Sequence, residues 1–286
     1  MGRLGIYFFF GTGNTEIVTR LVEHSFAARG WAVNVIRMED VNNGTQELNI
    51  EQYDLVGFGS QVIEFGIPRV VRRFAKKLPT VSDNKKAFIF RTAGGVAPIN
   101  YNVSKKLMRM LKSKQYDDCY EQIFSIGSNG MIKFDDAIMK QLYRTTTRKI
   151  TQMCEAIESE ERHYYYTGTV LRIKMGIVST FAAMIFPLLG KDAVVEKSCS
   201  QGGLCVSNCP EKNICIKNGK IKFHSSCSAC LRCVYTCPKK AIHFRLFSFI
   251  TLPDGYDVKK SLSEKGNYDE KPNGKIPAFF KSYVEE

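Results

Sequence analysis

Acidic residues are scarce in this chain relative to basic ones, since 28 Asp and Glu stand against 41 Lys and Arg in 286 residues. The resulting net charge of +13 favours an anionic partner, which is an acidic protein, a nucleic acid or a membrane face, with a generally soluble basic surface as the alternative. No aromatic residues are interleaved with the lysines in the way that is typical of nucleic-acid binding. Nucleic acid is therefore the least expected of the three partners.

The sequence also lacks the features of an export signal. Residues 1–3 lead directly into the apolar segment LGIYFFF, and no small-residue cleavage site follows. Ten cysteines without such a signal indicate metal or redox chemistry rather than disulfides, and they predict a cytoplasmic or other reducing compartment. Two of the ten, Cys119 and Cys154, lie in segments that read as a strand edge and a helix, and we expect both to be packed thiols.

The glycine-rich segment Gly11–Thr15 lacks the residues that define two common phosphate loops. No Gly-Lys-Ser/Thr follows it, which excludes a nucleoside-triphosphate loop, and Glu16 occupies the third glycine position of the dinucleotide fingerprint. Hydroxyls, glycines and the amides at the start of a helix hold a phosphate without any lysine. The segment therefore predicts a phosphate-binding loop, with an ordinary turn as the alternative.

Residues 4–158 alternate between apolar strands and amphipathic helices. Strands are predicted at 4–10, 32–38, 54–60, 86–92 and 121–127, and the last three helices at 67–78, 103–112 and 134–158. Continuous apolar strands separated by amphipathic helices predict a parallel sheet that is covered on both faces.

One cysteine is missing from an internal repeat. CSQGGLCVSNCPEKNI begins at Cys199 and CSACLRCVYTCPKKAI begins 28 positions later, but Gly202 stands where the second copy has Cys230. Such runs are typical of iron–sulfur ligation, in which the cysteine before Pro crosses to the other cluster. Zinc is disfavoured because its sites pair cysteines as two separated couples. The repeat predicts a complete site of Cys209, Cys227, Cys230 and Cys233 and an incomplete site of Cys199, Cys205 and Cys237.

Thr12-Gly13-Asn14-Thr15 resembles the loop with which flavodoxins bind the phosphate of FMN. The resemblance implies a five-stranded parallel sheet of order 2-1-3-4-5, with two further loops around the flavin ring at the ends of strands three and four. It also implies that Phe65 packs on the ring, with a place in the core as the alternative. The residues implied for FMN binding are Gly11, Thr12, Gly13, Asn14, Thr15, Ser60, Gln61, Val62, Phe65, Gly66, Thr92, Ala93, Gly94 and Gly95, and Ser128-Asn129-Gly130 borders the site.

Two departures from the flavodoxin pattern stand out. Phe10 replaces a hydroxyl residue two places before Thr12, and Gln61 replaces the usual Pro. The first departure implies the loss of one hydrogen bond to the phosphate, and the second implies an altered loop shape.

The cysteine module resembles bacterial-type two-cluster ferredoxins, and this implies a small α+β domain. Seven-iron ferredoxins also lack the second cysteine of the first run. The resemblance implies one [4Fe-4S] cluster and, at the incomplete site, a [3Fe-4S] cluster or an incompletely ligated [4Fe-4S] cluster. Cys215 as a substitute ligand and a degenerate empty site are the alternatives.

The order of parts resembles a family of flavodoxin–ferredoxin fusion proteins. The predicted organisation is an FMN domain at 1–158, a connector at 159–196, a ferredoxin domain at 197–246 and an irregular tail at 247–286. The resemblance implies electron transfer between iron–sulfur clusters and FMN. The first alternative is an FMN-dependent reductase of a small molecule that is fed by its own clusters. The others are Lewis-acid chemistry at an open iron of the incomplete cluster and a non-catalytic redox sensor or docking module.

The connector contains 16 consecutive uncharged residues, 175–190. A helix of that length rises about 24 Å, which is short of the roughly 30 Å hydrocarbon core of a bilayer. Three interpretations are open: the helix packs against the domains, it makes peripheral membrane contact through 175–190, or it spans a membrane.

A second charged feature is the predicted helix 67–78, whose cations share one side. This side is either a solvated face or a docking surface for an acidic redox protein. Its residues are Arg69, Arg72, Arg73, Lys76 and Lys77.

Overall fold

The computed structural model describes residues 1–63, 65–82, 84–263, 280, 283 and 284. Its first half contains five parallel strands in the spatial order β2-β1-β3-β4-β5, so the predicted flavodoxin-like order is confirmed. The strands are β1 (Arg3–Phe9), β2 (Ala32–Arg37), β3 (Leu55–Gln61), β4 (Lys85–Thr92) and β5 (Tyr116–Phe124).

The fifth strand begins earlier than predicted, at Tyr116 instead of residue 121. It lies at the edge of the sheet, and its side chains are buried and half-buried in partial alternation, because successive side chains point to opposite faces of a strand. Asp117 and Asp118 therefore belong to the strand although they interrupt the continuous apolar pattern from which the boundary was predicted.

Helices cover both faces of the sheet. Residues of α1 and α5 share one apolar cluster with Phe88 and Phe90 of β4, whereas residues of α3 and α4 share a second cluster with Ala87 and Ile89. The alternation along β4 shows that the sheet is buried on both sides, as continuous apolar strands require. The helices are α1 (Asn14–Ala28), α2 (Met38–Asn43), α3 (Arg69–Lys77), α4 (Lys105–Lys112) and α5 (Asp136–Glu158).

The connector begins against the sheet edge and ends in the cysteine module. His163 exchanges backbone hydrogen bonds with β5, since its carbonyl accepts from the Glu121 amide at 2.8 Å and its amide donates to the Cys119 carbonyl at 3.3 Å. The chain then forms α6 (Thr169–Ile185), a 3₁₀ turn at Phe186–Leu188 and α7 (Leu189–Asp192). It continues into the short strand β6 (Ala193–Val195).

The cysteine module is a small α+β unit. Strand β6 pairs antiparallel with β9 (Ile242–Phe244), and between them lie α8 (Leu204–Ser207), the hairpin β7 (Ile214–Lys217) and β8 (Lys220–Phe223), and α9 (Arg232–Tyr235). Both turn residues of the hairpin, Asn218 and Gly219, have positive φ. This matches the Asn-Gly hairpin turn, which requires a left-handed backbone at both central positions.

The tail returns to the first half of the molecule. It contains a 3₁₀ turn at Ser248–Ile250 and the helix α10 (Val258–Ser263), which the polar composition of the tail did not predict. Val258, Phe280 and Tyr283 are buried in the same apolar cluster as α1 and α5. The rest of the predicted tail, 264–279 with 281, 282, 285 and 286, lies outside the described residues.

Candidate cofactor sites

The 28-residue repeat in the sequence is also a repeat in the backbone. Three residues of the first copy have a positive φ, and the residues 28 positions later have one as well. Non-glycine residues rarely adopt this conformation, so three matched positions indicate that both loops wrap in the same way. The pairs are Gln201 with Ala229, Gly203 with Leu231, and Lys212 with Lys240.

Hydrogen bonds to sulfur repeat with the same offset. The amide of Gln201 donates to Cys199 Sγ at 3.4 Å, and the amide of Ala229 donates to Cys227 Sγ at 3.3 Å. The cysteines before proline behave alike, because Cys209 Sγ accepts from the Asn213 amide at 3.2 Å and Cys237 Sγ from the Ala241 amide at 3.4 Å. The copy that lacks a cysteine therefore keeps the loop shape and the backbone donors of the complete copy.

Four cysteines from the two copies converge on one cavity with largely apolar walls. Burial, together with the neighbouring Cys230, raises the pKa of the Cys227 thiol to about 12. Burial also raises the pKa of Cys233, with added contributions from Cys230, Cys227 and Cys209. The structure thus brings together the set that the repeat predicted as complete, namely Cys209, Cys227, Cys230 and Cys233.

The remaining cysteines of the repeat form a second group. Burial raises the pKa of the Cys205 thiol, and the nearby Cys199 and Cys237 raise it further. Cys199 also borders an open cleft of about 700 Å³. Cys215 belongs to neither group. It lies in strand β7 of the hairpin, and its Sγ is 3.4 Å from Nε2 of His224.

No three His, Cys, Asp or Glu side chains are placed to hold a single metal ion within the described residues. The thiolates of a cubic cluster lie further apart than the ligands of one ion, because each thiolate binds a different iron. The absence of such a group within the described residues therefore applies to sites for a single metal ion. Cys119 and Cys154 are buried in the first half of the molecule, as predicted.

The predicted phosphate loop lies at the start of α1. Gly13 is the N-cap residue, with φ of 102°, and no side chain caps the helix. The first-turn amides are therefore left without the side-chain acceptor that a Ser, Thr or Asp cap supplies. An anion satisfies such amides, and the helix dipole favours it.

The side chains of this loop are hydrogen-bonded within the protein. Thr12 Oγ1 accepts from Asn129 Nδ2 at 2.8 Å, and Thr15 Oγ1 lies 2.7 Å from Thr92 Oγ1. Asn14 accepts from the hydroxyl of Tyr256 at 2.6 Å, a contact that the sequence did not predict. These bonds bring the ends of β1, β4 and β5 together at one edge of the sheet.

The loop after β3 meets the phosphate loop through Gln61. Its side-chain amide faces the Phe9 carbonyl at 2.7 Å and the Gly11 amide at 3.0 Å, so it donates to the first and accepts from the second. Gln61 thus stabilises the end of β1, a function that the usual Pro lacks. Ser60 is buried at the end of β3, and the Val62 amide donates to the Thr92 carbonyl at 2.8 Å.

Phe65 is not a core residue. Its side chain is 40% exposed and its φ is 49°, an unusual conformation for an aromatic residue. The turn is closed by Gly66, whose amide donates to the Ile63 carbonyl at 2.8 Å.

The loop after β4 lies on the same edge of the sheet as the phosphate loop. The Ala93 amide donates to the Phe124 carbonyl at 3.0 Å, and a Cβ on Gly94 would lie 3.1 Å from Ser128 Oγ. The sequence predicted Gly95 as well, and its carbonyl accepts from Asn100 Nδ2 at 2.8 Å. The loops predicted to surround the flavin ring are therefore placed next to the loop predicted to hold its phosphate.

Arg232 joins the cysteine module to this edge, and the sequence did not predict it. Its guanidinium donates to the Phe10 carbonyl at 2.6 and 3.1 Å, lies 4.3 Å from the Phe10 ring centroid and pairs with Glu39 at 2.6 Å. Arg232 and Glu39 are both buried. Phe10, which replaces a hydroxyl residue of the flavodoxin pattern, therefore forms part of the contact between modules.

The predicted basic helix, α3, makes a second contact between modules. Glu211 of the cysteine module is almost fully buried, and it pairs with Arg73 at 2.8 Å and with Arg69 at 3.9 Å. Lys77 donates to two backbone carbonyls, those of Val41 and Asn42. Arg72 donates to the Ile67 carbonyl at 3.2 Å. Four of the five cations are thus engaged within the chain, which weakens α3 as a docking surface.

No family model and no curated protein matches the chain. Among solved structures, it is similar to oxidised flavodoxin 1 from Bacillus cereus at 15% identity, over 52% of this chain and 97% of that one, with a TM-score of 0.36. Flavodoxin 2 from the same organism is 14% identical over 55% and 99%, with a TM-score of 0.41. The rubredoxin oxygen:oxidoreductase from Desulfovibrio gigas is 17% identical over 56% and 37%, with a TM-score of 0.34. Because these values are low, we infer the function from the residues of this chain.

Proposed function

We propose that this chain is an electron-transfer protein that passes electrons between two iron–sulfur clusters and FMN. When bound, clusters carry electrons singly and FMN converts between one-electron and two-electron traffic. The protein binds these groups close to one another, orients them and provides the electrostatic environment around them.

The fit of the cysteines to clusters supports the proposal. Cys209, Cys227, Cys230 and Cys233 would hold a [4Fe-4S] cluster, since they share one cavity whose walls exclude most water. The amides that donate to Cys209 and Cys227 are the kind of backbone donor that tunes the potential of a cluster. Cys199, Cys205 and Cys237 would hold a [3Fe-4S] cluster or an incompletely ligated [4Fe-4S] cluster.

The fit of FMN is supported at the phosphate loop. The uncapped amides of α1 would hold the phosphate, with Thr12 and Thr15 as hydroxyl donors. Asn129 and Thr92 now hydrogen-bond these hydroxyls, so phosphate binding would exchange or share those bonds. Phe65, which is exposed in the loop after β3, would pack on the flavin ring.

One contact carries the proposal. The carbonyl oxygen of Cys230 lies so close to Gly11 that a Cβ there would be 2.5 Å from it. A residue of the complete cysteine set therefore lies against the phosphate loop, with no layer of side chains between them. Arg232 fixes this contact through the Phe10 carbonyl. Such proximity suits electron exchange between the two sites.

Cofactor analysis after anaerobic purification tests the proposal. We expect one FMN and about seven irons per chain, with an EPR signal of a three-iron cluster in the oxidised protein. Cys227→Ala should remove about four irons, because it takes a ligand from the complete site. Cys215→Ala is the matched control and should leave the iron content unchanged.

Several outcomes would contradict the proposal or redirect it. A colourless protein, prepared without oxygen and supplied with iron, sulfide and flavin, would overturn it. A loss of iron in Cys215→Ala would instead identify Cys215 as a ligand. Rapid turnover of a small-molecule oxidant, with no reaction with redox proteins, would favour the FMN-dependent reductase.

We further propose that an acidic redox protein exchanges electrons with the incomplete site. Cys199 borders a cleft whose rim is strongly basic. Four exposed lysines with no acidic residue other than Glu196 among the lining groups would attract a negatively charged surface. These residues are Lys191, Lys197, Lys220 and Lys222.

Charge reversal at this cleft should slow the reaction with an acidic ferredoxin. For Lys220→Glu/Lys222→Glu we expect the bimolecular rate, measured by stopped flow at low ionic strength, to fall roughly tenfold or more. The difference should vanish at high salt, because screening removes the attraction. Lys76→Glu/Lys106→Glu, on α3 and α4, is the matched control and should react like the wild type. If the rate falls in Lys76→Glu/Lys106→Glu and not in Lys220→Glu/Lys222→Glu, the docking surface includes α3 instead of this cleft.

A further inference from the structure

The helix α6 exposes an apolar surface that the rest of the described chain leaves uncovered. None of its residues is buried. The most apolar 18-residue window of the helical run Thr169–Asp192 has a mean hydropathy of 1.7, and 11% of that window is buried. Soluble monomers rarely expose large contiguous apolar patches, so this surface indicates a binding partner. The exposed apolar side chains are Val170, Ile173, Ile177, Val178, Phe181, Met184, Ile185 and Leu188.

Within the described residues, the partly covered side chains of α6 form a narrow stripe. Leu171, Met175, Ser179, Ala182 and Ala183 are half-buried and recur at intervals of three or four residues, which places them on one side. The remaining circumference faces outward. Within the described chain, the only element that α6 contacts extensively is the 3₁₀ turn that follows it, so its apolar side is free to face a second phase.

The chain on both sides of α6 belongs to one folded body. His163, before the helix, is hydrogen-bonded to β5, and β6, after it, pairs with β9. If α6 spanned a bilayer, these segments would lie on opposite sides of the membrane. The buried ion pair between Arg232 and Glu39, which joins the same two parts, would then be broken. A spanning orientation is thus incompatible with this fold.

Charge and a second apolar patch point to an anionic membrane surface. Arg172 and Lys174 are the only charged residues of α6, and both are exposed. Beyond α6, the carboxylate of Asp192 at the end of α7 accepts from the amides of Leu246 and Phe247 at 3.0 Å, which places the loop after β9 beside the end of α7. Leu246 in this loop is 74% exposed. The surface thus combines apolar side chains with cations, as interfacial helices do.

We propose that α6 lies in the plane of an anionic membrane surface, with its outer apolar side chains in the headgroup–acyl boundary. Arg172 and Lys174 reach the lipid phosphates, and the loop of Leu246 inserts at the far end. The helix is a peripheral anchor that holds the electron-transfer protein at the membrane without crossing it.

Vesicle flotation tests the proposal with the complete cofactor-loaded chain. Binding to vesicles of phosphatidylcholine with phosphatidylglycerol should exceed binding to phosphatidylcholine alone. Ile177→Glu/Phe181→Glu should weaken it by roughly tenfold or more, because two buried apolar contacts are replaced by charges that anionic lipid repels. Met131→Glu, an exposed apolar residue outside α6, is the matched control and should bind like the wild type.

Two further measurements distinguish a peripheral membrane anchor from a spanning helix and from a protein interface. Arg172→Gln/Lys174→Gln should reduce the preference for phosphatidylglycerol while binding to neutral vesicles changes little. Bound protein should also transfer to protein-free vesicles, as a peripheral protein does. Equal binding of the Ile177→Glu/Phe181→Glu variant and the wild type, at equal flavin and iron content, would overturn the proposal. Failure of the wild type to bind either kind of vesicle would also overturn the proposal. If light scattering shows a dimer in the wild type and a monomer in the Ile177→Glu/Phe181→Glu variant, α6 instead contacts a second copy of the chain.

Discussion

Gly202→Cys is expected to raise the iron content from about seven to about eight per chain and to abolish the EPR signal of the oxidised three-iron cluster. A Cβ on Gly202 would have Ser200 Oγ, at 3.8 Å, as its nearest neighbour, so the site has room for a thiol. The φ of Gly202 lies outside the left-handed region, unlike that of Gly203. The loop also keeps the conformation in which the second copy presents Cys230.

The neighbouring glycine provides the control. Gly203→Cys adds a thiol one residue further on, at the position that corresponds to Leu231, and should leave the iron content at about seven. Anaerobic iron and sulfide determination with EPR measures both variants. Seven irons in Gly202→Cys would contradict the assignment of this position. Eight irons in the wild type would favour the incompletely ligated [4Fe-4S] cluster.

Arg232→Met should lower the free energy of unfolding by about 3–5 kcal/mol, because it leaves the buried Glu39 with only the distant Arg37, at 3.9 Å, as a partner. It also removes two hydrogen bonds to the Phe10 carbonyl. Urea denaturation of the cofactor-loaded protein, followed by circular dichroism without oxygen, should show the lower midpoint. Electron transfer between the clusters and the flavin should slow as well, since Arg232 fixes the contact between Cys230 and Gly11.

Two comparisons make this result specific. Arg20→Met breaks an exposed pair with Glu23 and should cost less than about 1 kcal/mol. Adding Glu39→Leu to Arg232→Met should recover most of the lost stability, because no buried charge then remains unpaired. If Arg232→Met is as stable as the wild type, the pair does not hold the modules together.

The features that the sequence predicted are local or periodic. The strand order followed from the flavodoxin resemblance, and the hairpin followed from Asn218-Gly219, which adopt the positive φ that the turn needs. The division of the cysteines into two groups followed from a repeat with a constant offset. The hairpin turn and the cysteine repeat each lie within a short stretch of chain, so spacing exposes them, whereas the strand order was implied by the resemblance.

The features that the sequence did not predict depend on contacts between distant residues. Arg232 reaches Phe10 across 222 positions, and Tyr256 reaches Asn14 across 242. A single buried ion pair leaves no periodic pattern in the sequence. Each partner taken alone resembles an ordinary charged residue on the surface. The same holds for Glu211, whose partners on α3 were predicted to face solvent or another protein.

The burial of the tail among α1 and α5 affects how the protein is made. Tyr283 donates to or accepts from Thr146 Oγ1 at 2.7 Å, and Phe280 is fully enclosed. The sheet domain therefore cannot complete its interior on the ribosome until residues 258–284 have emerged, after the whole cysteine module. The amino-terminal half is therefore the last part to complete its folding during synthesis. A chain truncated after Leu246 should remain incompletely folded and should be bound by chaperones and cleaved by proteases.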